Sequence, residues 1–136
     1  MYLFDTDILI HILKPSPLPG LVARLAVVPA EQQFTSAITV GEMVYGAYRS
    51  PRREHFLRQL EERVWPNVRV LSFNRSAAET YGRLRAELEQ AGTPVAEPDL
   101  RIAAIALSHD LTLVTGNIRH FARVPGLRME NWLAPS

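Results

Sequence analysis

Short apolar runs and longer amphipathic segments alternate along the chain. The short runs are bounded by turn-forming or charged residues, and this pattern predicts β-strands. The predicted strands cover residues 2–4, 33–36, 68–71, 111–115 and 127–129. The longer segments repeat apolar residues at every third or fourth position, which is typical of a helix that packs one face on a core. The predicted helices cover residues 6–13, 19–28, 38–48, 52–64, 76–91 and 98–108.

The segment 76–91 is the clearest of these helices. Ser76 and Glu79 have the spacing of a capping box, in which two side chains bind free N–H groups at the start of a helix. Gly92 and Pro94 follow the last apolar residue and predict the end of the helix.

Strands that alternate with helices predict a parallel sheet, because parallel connections have to cross over one face of the sheet. The predicted fold class is therefore α/β, with three α/β/α layers around a central, mostly parallel sheet of about five strands. The chain has 136 residues, 47% of them hydrophobic, and shows no internal repeat or long linker. We therefore expect one domain over residues 1–136.

The composition excludes several classes of protein. No cysteine is present, which excludes a disulfide framework and a thiolate zinc site. No apolar run reaches the roughly 18 residues of a membrane span, so we expect no membrane contact and a cytoplasmic location. The net charge is only +1, but of the 15 lysine and arginine residues only Lys14 is lysine. Arginine suits phosphate recognition, although a GC-rich coding sequence explains the same bias.

Four polar residues are expected at one edge of the predicted sheet. They are Asp5 after the first strand, Glu42 in the helix after the second, Asp99 in the helix before the fourth, and Asn117 after the fourth. Functional groups of an open parallel sheet gather at the carboxyl ends of its strands, so we expect these side chains to meet there. Clustered carboxylates repel one another, and Mg²⁺ or Mn²⁺ with oxygen ligands removes that conflict.

Each acid also has a purely structural interpretation. Asp5 or Asp7 can cap the helix that follows, and Thr39 and Glu42 have the spacing of a capping box. Asp99, directly after a proline, complements the dipole at the start of its helix. Asp7 is left with the structural interpretation, because in a helix it lies about 200° around the axis from Asp5. The hydroxyl groups next to these acids likewise either orient ligands or make local hydrogen bonds; they belong to Thr6 and Thr115.

Four segments in this order resemble the VapC-type ribonuclease toxins of the PIN-domain family. They are FDTDIL, SAITVGEMVYG, GTPVAEPDLRIAAIALSHDLTLVTGNIRHF and RVPGLRMENW. The resemblance covers residues 3–132, and the third segment is its most specific part.

The resemblance implies a Mg²⁺-dependent endoribonuclease, the toxin of a toxin-antitoxin pair, which leaves a 3′-hydroxyl and a 5′-phosphate. It also implies a cognate antitoxin as protein partner and a homodimer. The candidate dimer faces are the helices that carry Phe56, Leu57 and Leu60, or Tyr81 and Leu84, and ordinary core is the alternative role of the same residues. The metal-binding aspartates of the family fall on Asp5 and Asp99, and its motif glutamate falls on Glu42.

The fourth site position departs from the wider family pattern. It is often acidic there but is Asn117 here, and an acid three residues later is replaced by His120. Asn117 adds an oxygen but no charge, so we expect one tightly held Mg²⁺ rather than two. Glu97 either restores acidity near Asp99 or is a surface residue. His120 either contacts phosphate or transfers a proton, or is a solvated loop residue.

Two groups of arginines flank the predicted acids and are candidate RNA-phosphate contacts. They are Arg49, Arg52 and Arg53, and Arg119 and Arg123. RNA has to be drawn towards an acidic site by cations, although an ordinary solvated basic surface has the same pattern.

Two other functions stay open at this point. A haloacid-dehalogenase-like phosphatase also has Asp-x-Asp after its first strand, but it needs Thr or Val where Leu9 stands and a lysine further downstream, whereas the only lysine of this chain is Lys14. A catalytically degenerate module that binds RNA or a partner protein is the second alternative, favoured by Asn117 and His120.

Overall fold

A computed structural model describes residues 1–134, which form five β-strands and seven α-helices. The strands are β1 Tyr2–Phe4, β2 Gln33–Ser36, β3 Arg69–Leu71, β4 Thr112–Val114 and β5 Met129–Glu130. The helices are α1 Thr6–Ile12, α2 Pro19–Val27, α3 Ala37–Arg49, α4 Arg53–Gln59, α5 Arg75–Gln90, α6 Glu97–Ser108 and α7 Ile118–Phe121. Within this part of the chain no helix is both long and apolar enough to cross a bilayer.

All the strands pair in parallel, in the order β3-β2-β1-β4-β5. The chain therefore builds the sheet outwards from β1 on one side, and then crosses over to add β4 and β5 on the other. The strand order reverses between β1 and β4, and this is where an open parallel sheet forms a crevice. The predicted fold class, a central parallel sheet between helical layers, is confirmed.

Adjacent residues of the central strands point to opposite faces and supply two separate cores. Leu3 and Leu113 pack into the core under α5 and α6, whereas Phe4 and Val114 pack into the core under α1 and α2. All four side chains are fully buried. Burial on both faces explains why these strands read as continuous apolar runs rather than as an alternation of apolar and polar residues.

Several predicted boundaries differ from the structure. The helix predicted over residues 52–64 divides into α4 and one π-helical turn, Leu60–Val64. Leu60 is only 2% exposed there and belongs to the core, as does Leu84 of α5, so neither is free to form a dimer face. The short helix α7 was not predicted, because its four residues are too few to show a period.

The capping box predicted at the start of α5 is wrong. The N-cap is Asn74, whose side chain accepts a hydrogen bond of 3.0 Å from the backbone N–H of Ala77. Ser76 therefore lies inside the first turn, and Glu79 forms an exposed ion pair with Arg75 instead. Asn and Ser are comparable caps, so the spacing alone could not decide between them.

Candidate active site

Asp5 lies at the carboxyl end of the central strand β1, and it is only 5% exposed. Its backbone N–H donates to the carbonyl oxygen of Val114 in β4 over 3.0 Å. Its Oδ1 atom accepts from the N–H of Thr6 at 2.8 Å, and its Oδ2 atom accepts from the hydroxyl of Thr115 at 2.9 Å. Both carboxylate oxygens are therefore oriented by the ends of the two strands that meet where the strand order reverses.

Burial raises the pKa of the Asp5 carboxyl to about 6, because desolvation disfavours the charged form. The hydrogen bonds from Thr6 and Thr115 lower this pKa, while the negative charges of Asp7 and Asp99 raise it further. At neutral pH the site therefore holds a buried carboxylate among other acids, a conflict that a bound cation relieves.

Glu42 reaches the same end of the sheet from α3. Its Oε1 atom accepts a hydrogen bond of 2.9 Å from the hydroxyl of Thr6, the residue next to Asp5. The N-cap of α3 is Ser36, whose Oγ atom accepts from the N–H of Thr39 at 3.0 Å. The alternative capping box of Thr39 and Glu42 is therefore wrong, and the Glu42 side chain does not cap its helix.

Asp99 lies in the first turn of α6 and is half-buried. Burial raises the pKa of its carboxyl, the positive charge of His120 lowers it, and the negative charge of Glu42 raises it. The Nδ1 atom of His120 lies 3.6 Å from the Oδ2 atom of Asp99. His120 is exposed, as expected, but it belongs to α7 and stands beside a site acid rather than in a loop.

Asn117 connects the site to Asp7, which the sequence assigned a local role only. The Oδ2 atom of Asp7 accepts from the backbone N–H of Gly116 at 2.7 Å and from the Nδ2 group of Asn117 at 3.3 Å. Asp7 thus reaches from α1 to the loop after β4, and burial raises the pKa of its carboxyl. The backbone N–H of Asn117 donates to the Thr115 hydroxyl at 3.0 Å. Sequence reasoning missed Asp7 because helical geometry placed it away from Asp5, and the fold brings the loop to it.

The predicted acids interact in pairs. Asp5 interacts electrostatically with Asp99, and Asp99 with Glu42. Within residues 1–134 no three side chains among His, Asp and Glu form a ready-made metal cluster. This arrangement still fits Mg²⁺, which usually binds one or two carboxylates and keeps several waters. All the candidate donors are carboxylate or amide oxygens, which suit a hard divalent ion.

Glu97 does not join this group of acids. It accepts a hydrogen bond from the Tyr81 hydroxyl and pairs with Arg85 at 3.0 Å and Arg101 at 3.4 Å. The Tyr81 hydrogen bond and the two guanidinium groups lower the pKa of the Glu97 carboxyl. Its interpretation as a surface residue agrees with these partners.

The candidate RNA-binding arginines divide into two sets. Arg52 lines a groove together with Glu42, and Arg119 and Arg123 line a smaller cavity together with Asp99. The other two stack on exposed tyrosines of α3: the Arg49 guanidinium lies 5.4 Å from the ring centroid of Tyr45, and that of Arg53 lies 4.8 Å from the ring centroid of Tyr48. Only the first set borders the acids directly.

Known proteins that are similar to this chain identify its family. The model of the PIN domain matches residues 2–127, which is most of the chain. The chain belongs to the PIN-domain family. The predicted family resemblance is thereby confirmed. Nucleases of this family in general depend on divalent metal ions.

The PIN-domain relatives of this chain match it over nearly their whole length. A protein named ribonuclease VapC2 from Haemophilus influenzae is 36% identical over 132 residues, covering 97% of this chain and 98% of the relative. A tRNA(fMet)-specific endonuclease VapC from Salmonella typhimurium is 35% identical over 131 residues, covering 96% and 97%. The crystal structure of DNA-bound VapBC from Salmonella typhimurium superposes with a TM-score of 0.89 at 36% identity, covering 96% of this chain and 97% of that one.

Proposed function

We propose that this protein is a Mg²⁺-dependent endoribonuclease that acts as the toxin of a toxin-antitoxin pair. The observation that carries the proposal is the buried Asp5 carboxylate, oriented by Thr6 and Thr115 and electrostatically coupled to Asp99. A buried acid whose pKa is raised beside other acids is characteristic of a catalytic or metal site. Relatives named as ribonucleases extend over nearly the whole chain and support this reaction class.

Asp5 and Asp99 would hold the metal ion, with Glu42 and Asn117 completing the site. Mn²⁺ would substitute for Mg²⁺, because it accepts the same oxygen ligands. A bound divalent ion supplies Lewis acidity towards a phosphate oxygen and lowers the pKa of a water molecule.

The residues of the chain prepare the site for hydrolysis of a phosphodiester. Thr6 and Thr115 orient the Asp5 carboxylate, so that little reorganisation is needed when the substrate binds. Glu42 is exposed, and its Oε1 atom accepts from the Thr6 hydroxyl next to Asp5. His120, whose Nδ1 atom lies 3.6 Å from the Oδ2 atom of Asp99, is placed to contact the phosphate or to transfer a proton. Attack by water on phosphorus, with O3′ as the leaving group, breaks the P–O3′ bond; it leaves a 5′-phosphate and, once O3′ has taken up a proton, a 3′-hydroxyl, and it does not involve the 2′-hydroxyl.

The arginines next to the acids draw the RNA backbone towards the site. Arg52 on one side of the site and Arg119 and Arg123 on the other border the two cavities that contain Glu42 and Asp99. Arg49 at the end of α3 and Arg53 at the start of α4 extend the basic surface over the tyrosines of α3. Contacts of this kind read the backbone and shape of a structured RNA rather than its bases.

An apolar groove beside the site provides a docking surface for an antitoxin. It has a volume of 680 Å³ and is lined by apolar side chains such as Ile10, Met43 and Phe56, and by Glu42 and Arg52. A partner seated there would cover one side of the site, which is the simplest means of inhibition. The structure of DNA-bound VapBC from the relative supports an assembly with a second protein. Cleavage of cellular RNA also implies a cytoplasmic location.

A homodimer is part of the same proposal. Tyr45 and Tyr48 on α3 and Val70 on the edge strand β3 are 63%, 53% and 48% exposed. An exposed edge strand next to aromatic side chains is commonly covered by another chain. Light scattering of the purified protein measures the oligomeric state, and a monomer at micromolar concentration would contradict this part.

The decisive experiment incubates the antitoxin-free protein with total RNA and with a purified tRNA, with Mg²⁺ or with a chelator. Asp5→Asn keeps the shape of the side chain and removes its charge. Asp110→Asn makes the same exchange in the turn before β4, at the opposite end of the sheet, where a φ of 54° also suits Asn. We expect Mg²⁺-dependent cleavage by the native protein and by Asp110→Asn, and at least a hundredfold loss in Asp5→Asn.

Sequencing of the new RNA ends identifies the substrate and the end chemistry together. A protein that binds RNA equally well with chelator and never cuts it is the degenerate binding module instead.

Expression of the toxin alone should arrest growth, and co-expression with a small protein encoded in a neighbouring reading frame should restore it. If the native protein does not arrest growth, the toxin assignment is wrong.

A further inference from the structure

Asp7 joins the start of α1 to the loop that carries Asn117, over more than a hundred positions of sequence. Its Oδ2 atom accepts two hydrogen bonds, from the Gly116 N–H at 2.7 Å and from the Asn117 Nδ2 group at 3.3 Å. The bond from Gly116 is partly buried, where a hydrogen bond is electrostatically stronger than in water, and the bond from Asn117 is exposed. Asp7 is therefore placed to act on the loop and not only on its own helix.

The chemistry of the two side chains determines which way the Asn117 amide faces. An ionised carboxylate can only accept hydrogen bonds, so the NH₂ group of Asn117 has to face Asp7. The carbonyl oxygen of the same amide then points away from Asp7. A free Asn side chain could present either atom to the site, and contact with Asp7 selects the oxygen.

The backbone of the loop is built for this contact. A Cβ atom on Gly116 would lie 2.6 Å from the Oδ2 atom of Asp7 and 2.8 Å from the Cδ1 atom of Leu133. Only glycine therefore allows the Asp7 carboxylate to approach the loop so closely. On the other side of the loop, the Thr115 hydroxyl accepts from the Asn117 N–H and donates to Asp5. The two aspartates of the DTD segment thus hold the same loop at two points.

We propose that Asp7 is a positioning residue that orients the Asn117 amide, so that its carbonyl oxygen faces the acids of the active site. This inference rests on the proposed function for the role of Asn117, but the contact itself can be tested without activity. Asp7 is not a metal ligand in this proposal, and its effect passes through Gly116 and Asn117.

Three substitutions distinguish the effect of the hydrogen bonds that Asp7 accepts from the effect of its negative charge. Asp7→Ala removes the acceptor, whereas Asp7→Asn removes the charge and keeps one oxygen that can accept both hydrogen bonds. Gly116→Ala adds a methyl group to the loop that displaces the Asp7 carboxylate. This variant tests the same contact if Asp7→Ala does not fold. Glu54→Ala is the matched control, because it removes an acid from the first turn of α4, at an exposed position.

The first readout is amide NMR of the metal-free protein. We expect hydrogen exchange of the Gly116 N–H to accelerate at least tenfold in Asp7→Ala and the side-chain resonances of Asn117 to move. Asp7→Asn and Glu54→Ala should leave both within about twofold of the native protein. The Asn117 side-chain signals are assigned by their disappearance in Asn117→Asp.

The second readout is RNA cleavage. In Asp7→Ala we expect kcat to fall about 10–100-fold with little change in KM, as for residues that orient a metal-site ligand. Asp7→Asn should keep kcat within about threefold, and adding Asp7→Ala to Gly116→Ala should cause no further loss.

Two results would overturn the proposal. One is an Asp7→Ala variant in which the hydrogen exchange of the Gly116 N–H and the side-chain resonances of Asn117 are the same as in the native protein. The other is an Asp7→Asn variant that is as inactive as Asp7→Ala, which would assign the role to the charge. If the native protein does not cleave RNA, the proposed function fails, and the NMR readout still tests the contact.

Discussion

The hydroxyl of Thr115 donates a hydrogen bond of 2.9 Å to the Oδ2 atom of Asp5, although 110 positions of sequence separate the two residues. Both are buried, and they follow strands that are neighbours in the sheet. The same hydroxyl accepts from the N–H of Asn117. One side chain at the end of β4 therefore connects the central acid of the site to the loop that completes it.

Replacement of Thr115 by Val should weaken both the site and the fold. Val has nearly the same shape but leaves the Asp5 oxygen and the Asn117 N–H without this partner. An unsatisfied buried group costs about 1–3 kcal/mol, so we expect the free energy of unfolding in urea to fall by that amount. Cleavage of RNA should fall about 10–100-fold, because residues that orient a metal-site carboxylate have effects of this size.

Thr112→Val is the control for that substitution. It makes the same exchange at the amino end of β4, away from Asp5. We expect activity within about twofold of the native protein. Equal losses in Thr112→Val and Thr115→Val would mean that the effect comes from the strand and not from the contact with Asp5.

The stability of the metal-free protein should fall as the pH rises from about 4 to about 6. Burial raises the folded-state pKa of Asp5 from 3.8 to about 6. In this range the folded protein keeps a proton that the unfolded chain has released, so the unfolded chain binds fewer protons and stability decreases with pH. A shift of this size corresponds to a loss on the order of 3 kcal/mol, which is complete above the folded-state pKa.

Urea unfolding in the presence of chelator measures this dependence. Asp5→Asn cannot titrate at this position, so its stability should exceed that of the native protein by an amount that grows between pH 4 and pH 6. The pKa values of the Asp7 and Asp99 carboxyls are also raised, so these residues likewise lower the stability as the pH rises. Both residues are present in the native protein and in Asp5→Asn. A constant difference across this range would show that Asp5 has an ordinary pKa.

Glu42→Gln tests the role of the glutamate separately from helix capping. Gln keeps an oxygen that can accept from the Thr6 hydroxyl, and the cap of α3 is provided by Ser36. We therefore expect the melting temperature to change by no more than about 2 °C, while RNA cleavage at saturating substrate falls at least about tenfold. Full activity in Glu42→Gln would reduce Glu42 to a hydrogen-bond partner of Thr6.

The cap of α5 provides a prediction about folding alone. Asn74→Ala removes the side chain that accepts from the Ala77 N–H and should cost about 1 kcal/mol of unfolding free energy. Ser76→Ala, inside the first turn, should change stability by less than about 0.5 kcal/mol. Denaturant unfolding of the two variants compares them directly, and the reverse order would restore Ser76 as the cap.

The layers of the fold could be predicted from hydrophobic periodicity, because period and length distinguish buried strands from amphipathic helices. Shorter features could not. The helix α7 has four residues, and the π-helical turn Leu60–Val64 continues the apolar stripe of α4 without interruption. Both depend on contacts with the rest of the molecule, which no local pattern contains.

The sequence by itself determined the α/β architecture, the family and the order of the acids at the ends of the strands. Only the tertiary structure decided which side chains work together: that Glu42 binds Thr6 instead of capping α3, that His120 stands beside Asp99, and that Asp7 faces Gly116 and Asn117. The physical reason is that periodicity assigns a residue to a face of its own element. The partner of a polar side chain depends instead on how β1 and β4 are brought together, more than a hundred residues apart.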